Sequence, residues 1–138
     1  MGKVVVKFKA QNWGDLEALA YGGRTEPARS VSDEALVDTG ATKLYFKSSL
    51  VRQLGLRQIG ELATRTMSDR SERRRVFSPV DLEVQGRSGR YDVIEVVDTL
   101  PNIIGQIPLE DLDWVVDPVG RRLIPNPEHK NGELADEF

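Results

Sequence analysis

Ala35-Leu36-Val37-Asp38-Thr39-Gly40-Ala41-Thr42 is the stretch on which the reading of this chain turns. An apolar strand runs straight into an acid, a hydroxyl residue, a glycine and a small residue. Each type has a physical reason to stand there. A carboxylate at the end of a buried strand is held rigidly and partly desolvated, which raises its cost of ionising. Thr39 can hydrogen-bond to neighbouring backbone and lock the turn. Gly40 lets the chain bend and lets another backbone approach closely. Ala41 is small enough not to crowd a ligand.

Working outward, short strands dominate. Val4, Val6 and Phe8 alternate with Lys3, Lys7 and Lys9, as in a strand with one buried face. Asn12-Trp13-Gly14-Asp15 reads as a turn, and Leu16 to Tyr21 fits either a returning strand or a helical turn. Gly22 to Arg29 should be a loop, and Val31 to Val37 the strand that delivers Asp38. After Asp38, Ser48 or Ser49 can cap a short helix carrying Leu50, Val51 and Leu54, which Gly55 can end. A long hairpin is expected next, with arms at Leu62 to Met67 and Arg73 to Val84 and a polar tip at Ser68 to Ser71. Gly86 to Gly89 is read as a tight turn into a strand at Arg90 to Val97. Pro108 is expected to open a second short helix, with Glu110 and Asp111 in its first turn. Closing strands are expected at Trp114 to Asp117 and Arg122 to Ile124. Residues 1–125 are read as one domain and 126–138 as a polar tail. The pattern as a whole predicts an all-β barrel or sandwich.

The stretch around Asp38 resembles the active-site motif of the retropepsin-like (retroviral-type) aspartic proteases, an apolar pair followed by Asp-Thr-Gly-Ala. That family carries, downstream and before a short helix, two apolar residues and a glycine. Asn102-Ile103-Ile104-Gly105-Gln106 matches this element, and Pro108 to Leu112 would supply the helix. The hairpin lies where the family has its flap. Arg121 to His129 resembles the ending of bacterial members. The order of these elements covers Val31 to Val116. The resemblance implies a closed acid-protease barrel with one or two short helices. It assigns catalysis to Asp38, supported by Thr39 and Gly40. Ala41, Thr42, Met67, Ser68 and Gly105 would line or back the substrate cleft. Two departures bear on substrate preference: Thr42 stands where viral members often carry an acid, and the flap tip is polar instead of glycine-rich.

Aspartic proteases use two carboxylates that share one proton. The chain has one Asp-Thr-Gly. Asp98-Thr99-Leu100 is a decoy, because Leu100 places a bulky side chain where the bend needs none. The simplest second carboxylate is Asp38 of another copy, so the implied enzyme is a homodimeric endopeptidase acting on peptide or protein. The alternative is a module of the same fold that binds peptide or regulates, with little turnover. In a third reading, Asp38-Thr39-Gly40 is an ordinary turn.

Bulk composition narrows the classes further. Length suits one domain. The chain has no cysteine and a single histidine, His129, in the polar tail. Thiol, Ser–His–Asp and ordinary zinc chemistry are therefore disfavoured, and no metal or cofactor is expected. A net charge of −3 argues against nucleic acid, and the run Arg70, Arg73, Arg74 and Arg75 reads as a solvated hairpin. No apolar run is long enough to span a membrane, and Met1 to Ala10 lacks a signal-peptide core, so a cytoplasmic protein is expected.

Overall fold

The computed structural model describes residues 3–65 and 71–129. The described residues are mostly strand, with three short helices. In order these are β1 (Val4–Asn12), α1 (Trp13–Ala20), β2 (Ser30–Val37), β3 (Leu44–Lys47), α2 (Ser48–Gln53), β4 (Gln58–Arg65), β5 (Ser71–Val84), β6 (Arg87–Val96), β7 (Ile103–Ile104), α3 (Gln106–Asp111), β8 (Trp114–Asp117) and β9 (Arg122–Pro125). Seven strands form one sheet in the order β1-β2-β7-β3-β6-β5-β4, and β1 also pairs with β5, so the pairings run in a ring. β8 and β9 form a separate hairpin.

The alternation read in β1 is borne out: Val4, Val6, Phe8 and Ala10 point into the core and the lysines out. Phe8 stacks on Phe46 at 5.0 Å between ring centres. An inner row runs across the sheet in register, Val4–Val37–Ile104–Leu44–Val93–Phe77, and forms the middle of the core.

Several expectations need correction. Asn12 to Asp15 is the start of α1, not a free turn: Asn12 is the N-cap, and its side-chain oxygen accepts from the Asp15 N–H at 3.0 Å. The same side chain donates to the Leu54 carbonyl at the end of α2. Helix α2 is not capped by its own serines. Its N-cap is Lys47, and Asp98 accepts from the Ser49 N–H at 3.0 Å. Gly55 does end it, with φ 63°. The β5–β6 turn falls at Gln85-Gly86, both with positive φ, and Arg87 to Gly89 are already strand. Two-residue hairpins select that backbone because its twist matches the strands. Helix α3 begins two residues before Pro108, after Gly105, and has no acid in its first turn. Strand β3 carries no sequence boundary of its own; it exists because β6 and β7 pair with it on either side.

Asp15 ties the α1 corner together. It is buried, binds the Arg29 guanidinium through both oxygens at 2.9 Å, and accepts from the Arg29 N–H. Arg29 hydrogen bonding outweighs burial and holds the Asp15 carboxyl down at about 2. Among the described residues, no helix is long and apolar enough to cross a membrane.

Candidate active site

Strand β2 ends at Val37, and its ladder continues one step past that end. The Leu36 N–H donates to the Asn102 carbonyl and the Asp38 N–H to the Ile104 carbonyl, at 2.8 and 3.1 Å. β7 is thus laid parallel alongside the last residues of β2. Asn102 secures this join. It is buried, its amide donates to the Glu34 carbonyl, and its side-chain oxygen accepts from the Lys47 N–H. One side chain therefore satisfies backbone groups of β2 and β3 where β7 enters between them.

The turn after β2 is locked differently from the sequence expectation. Asp38 Oδ1 accepts from the Gly40 N–H at 2.9 Å, and the Ala41 N–H donates to the Asp38 carbonyl. Among the described residues the Thr39 hydroxyl makes no hydrogen bond, and Thr39 is exposed. Asp38 itself, half-buried, holds the bend. Gly40 does not use a left-handed φ; a Cβ there would lie 3.2 Å from Asp38 Oδ1, so glycine leaves room for the carboxylate. Thr42 is exposed and Ala41 half-buried, both on the segment that follows.

Gly105 backs this segment closely. Its N–H donates to the Lys43 carbonyl, the Gln106 N–H to Ala41, and the Ile107 N–H to Thr42. A Cβ on Gly105 would stand 2.5 Å from the Lys43 oxygen and 2.8 Å from the Ala41 oxygen. Only a residue without a side chain fits. Met67 and Ser68 lie outside the described residues.

A feature that sequence reasoning missed lies on the opposite side of the sheet from the core. Register carries a second row across six strands: Val5, Leu36, Ile103, Tyr45, Ile94, Val76. All six are apolar or aromatic. Val5 is 50% exposed, and Leu36, Ile103, Tyr45 and Val76 are half-buried. Ile94 is buried, yet lies outside the core cluster. It lines a groove with Leu62 and Val76, from the two arms of the β4–β5 hairpin. By the two-residue alternation, Asp38 follows Leu36 on this outer face. Asp38 therefore stands at the end of β2 on this face, the next position after Leu36 of the apolar row. The signal was present in the sequence. β3 and β7 are apolar at successive positions, and Leu36 breaks the polar run Ser30, Ser32, Glu34 on the outer side of β2.

Other candidates settle into structural parts. Asp98 caps α2, as above. Arg73, Arg74 and Arg75 pair with Glu61, Glu72 and Glu95, so each of these arginines already has an acidic partner. His129 is held by buried Asp113, 2.8 Å from both carboxylate oxygens, and Asn126 binds the same carboxylate. Trp13 and Trp114 each carry a stacked guanidinium, from Arg90 and Arg87. Trp114 also donates to the Val84 carbonyl, which pins the β8–β9 hairpin to the ring. Among the described residues, no group of three or more acidic, histidine or cysteine side chains could hold a metal ion.

No family model matches the chain, and no curated protein matches it at a significant level. The functional reading therefore rests on the residues and their arrangement.

Proposed function

We propose that the protein is an aspartic endopeptidase of retropepsin type, working as a homodimer with one Asp38 from each copy. The observation that carries this reading is the position of Asp38: on a turn braced by β7 and by its own hydrogen bond to Gly40, next after Leu36 of the outer apolar row. An extended peptide has the shape to lie along such a row, its side chains against Leu36, Ile103 and Tyr45. The β4–β5 hairpin would cover it as a flap, and Gly105 keeps the catalytic turn tight from behind.

The chemistry follows from two carboxylates sharing one proton. The ionised Asp38 takes a proton from water as the water oxygen attacks the scissile carbonyl carbon. The protonated Asp38 of the other copy donates to the carbonyl oxygen. The aspartate that took the water's proton then gives it to the amide nitrogen, the C–N bond breaks to release the amine, and a hydroxyl proton of the diol passes to the other aspartate as the new carboxyl group forms. One chain holds half of this machinery. The sequence has one Asp-Thr-Gly, and in this proposal the second carboxylate is Asp38 of another copy. A peptide-binding module without turnover would carry the same single motif.

Turnover separates the two readings. Purified protein incubated with a mixed peptide library from acidic to neutral pH should cleave internal bonds, and the activity should be absent in Asp38→Asn. Adding excess Asp38→Asn chains to wild type should suppress activity beyond dilution, because each mixed dimer has one ionisable partner. Binding of peptides without cleavage would support the module and overturn the enzyme.

A further inference from the structure

The outer row ends in a groove of about 340 Å³ whose chemistry is more specific than an apolar strip. Leu44 and Ile94 line it, Leu62 and Val76 reach it from the hairpin arms, and Ile107 and Pro108 of α3 stand beside it. Its volume is within the range of pockets that hold a small ligand or a large side chain. Three charged residues border it: Lys43, Arg90 and Asp92.

These charges are not equivalent. Arg90 and Asp92 are two residues apart on β6, hence on one face, and the register that pairs Leu44 with Val93 sets Asp92 next to Lys43. Among the described residues no ion pair joins the three, and together they leave one net positive charge at the groove. Arg90 is also committed to packing, its guanidinium 5.2 Å from the Trp13 ring centre. Lys43 is different. It is exposed, and no described carboxylate pairs with its ammonium group. Its backbone is among the most constrained in the site: the carbonyl accepts from Gly105, and a Cβ on Gly105 would lie 2.7 Å from the Lys43 nitrogen. A flexible cation is thus rooted on a rigid base five residues after Asp38, at the wall of an apolar groove.

We infer that this groove recognises an acidic side chain within an apolar stretch of an extended peptide, and that Lys43 is the residue that sets this preference. The inference rests on the proposed peptide cleft and names its substrate class. Apolar neighbours on the peptide would bury against Ile94, Leu62 and Val76, while the carboxylate meets the exposed Lys43 ammonium at a groove whose bordering charges sum to positive. Charge complementarity of this kind selects between partners more than it adds raw affinity.

The test uses binding, so that it does not depend on turnover. Asp38→Asn protein is titrated against fluorescent peptides that share an apolar frame and carry Glu, Gln or Lys at one scanned position. Anisotropy gives the Kd at low and high salt. The Glu peptide should bind about three- to tenfold more tightly than its Lys counterpart at the best position, with the difference shrinking as salt rises. Lys43→Glu should invert the order, and Lys43→Gln should level it. Both changes are at an exposed side chain, and a thermal melt verifies the fold of each. Binding with no charge preference, or a preference that Lys43→Glu leaves in place, overturns this inference alone. Failure to bind any peptide overturns the cleft reading together with it.

Discussion

The Gly105 N–H donates to the Lys43 carbonyl at 2.8 Å, and the missing Gly105 side chain would have collided with that same oxygen. This pair holds the segment after Asp38 against the start of α3. Gly105 has an ordinary extended φ of −90°, so its requirement is purely one of space. Gly105→Ala should therefore destabilise the fold by about 1–3 kcal/mol, as overpacking of a tight site does. Urea denaturation of the variant measures it. An unchanged midpoint would mean that the two segments can separate freely.

Asp38→Asn keeps size and loses the shared acid. Under the proposed mechanism, peptidase activity should fall by about three orders of magnitude or more, with the melting temperature unchanged or higher. Retained turnover in this variant would exclude Asp38 from the chemistry.

Wild-type activity should also follow protein concentration. Specific activity should drop steeply below the dimer dissociation constant, since an isolated chain holds one carboxylate of the pair. Sedimentation on the same samples locates that constant. Flat specific activity where only monomer sediments would exclude the homodimer mechanism.

Asp98 offers a control on the same chemistry. It accepts from the Ser49 N–H and so serves α2. Asp98→Ala should cost ~1 kcal/mol, the usual loss for a helix cap. Its activity per folded molecule should match wild type. A loss comparable to that of Asp38→Asn would reinstate Asp98 as a catalytic acid.

Asp15 gives the protein an acid-sensitive corner. The Arg29 guanidinium holds its carboxyl at about 2, below the ordinary 3.8. A carboxyl lowered by folding stabilises the native state fully above its unfolded pKa, and this contribution fades as pH falls from about 4 toward 2. Arg29 is partly exposed to solvent, which screens the pair, so Asp15→Asn should cost ~1–2 kcal/mol near neutrality. The variant should lose less stability than wild type between pH 4 and pH 2. Parallel pH profiles for the two proteins would show that the ion pair contributes nothing.

Much of this architecture was legible because strand alternation and turn residues are local. β1, β2, β8 and β9 follow directly from such patterns. What was not legible depends on partners distant in sequence. α2 is capped by Asp98, some fifty residues downstream, and not by the serines at its own start. The expected lock by Thr39 is made by Asp38, because a carboxylate oxygen reaches the Gly40 N–H from its own turn. The outer row could be seen only once register had joined six strands. His129 looked like a tail residue because its partner, Asp113, is a buried acid at a left-handed corner after α3.

The place of β7 has a consequence for how the protein comes into being. Ile103 and Ile104 are inserted between β2 and β3, and these neighbours touch the same two residues from opposite sides. During synthesis, the turn bearing Asp38 leaves the ribosome long before the strand that braces it. Assembly of that turn must wait for most of the chain, and closing so long a loop is slow. A nascent or truncated chain that stops short of Ile103 has the motif in its sequence but lacks the strand that would seat it. Vectorial synthesis thus delays the seating of Asp38 until the fold around it can form.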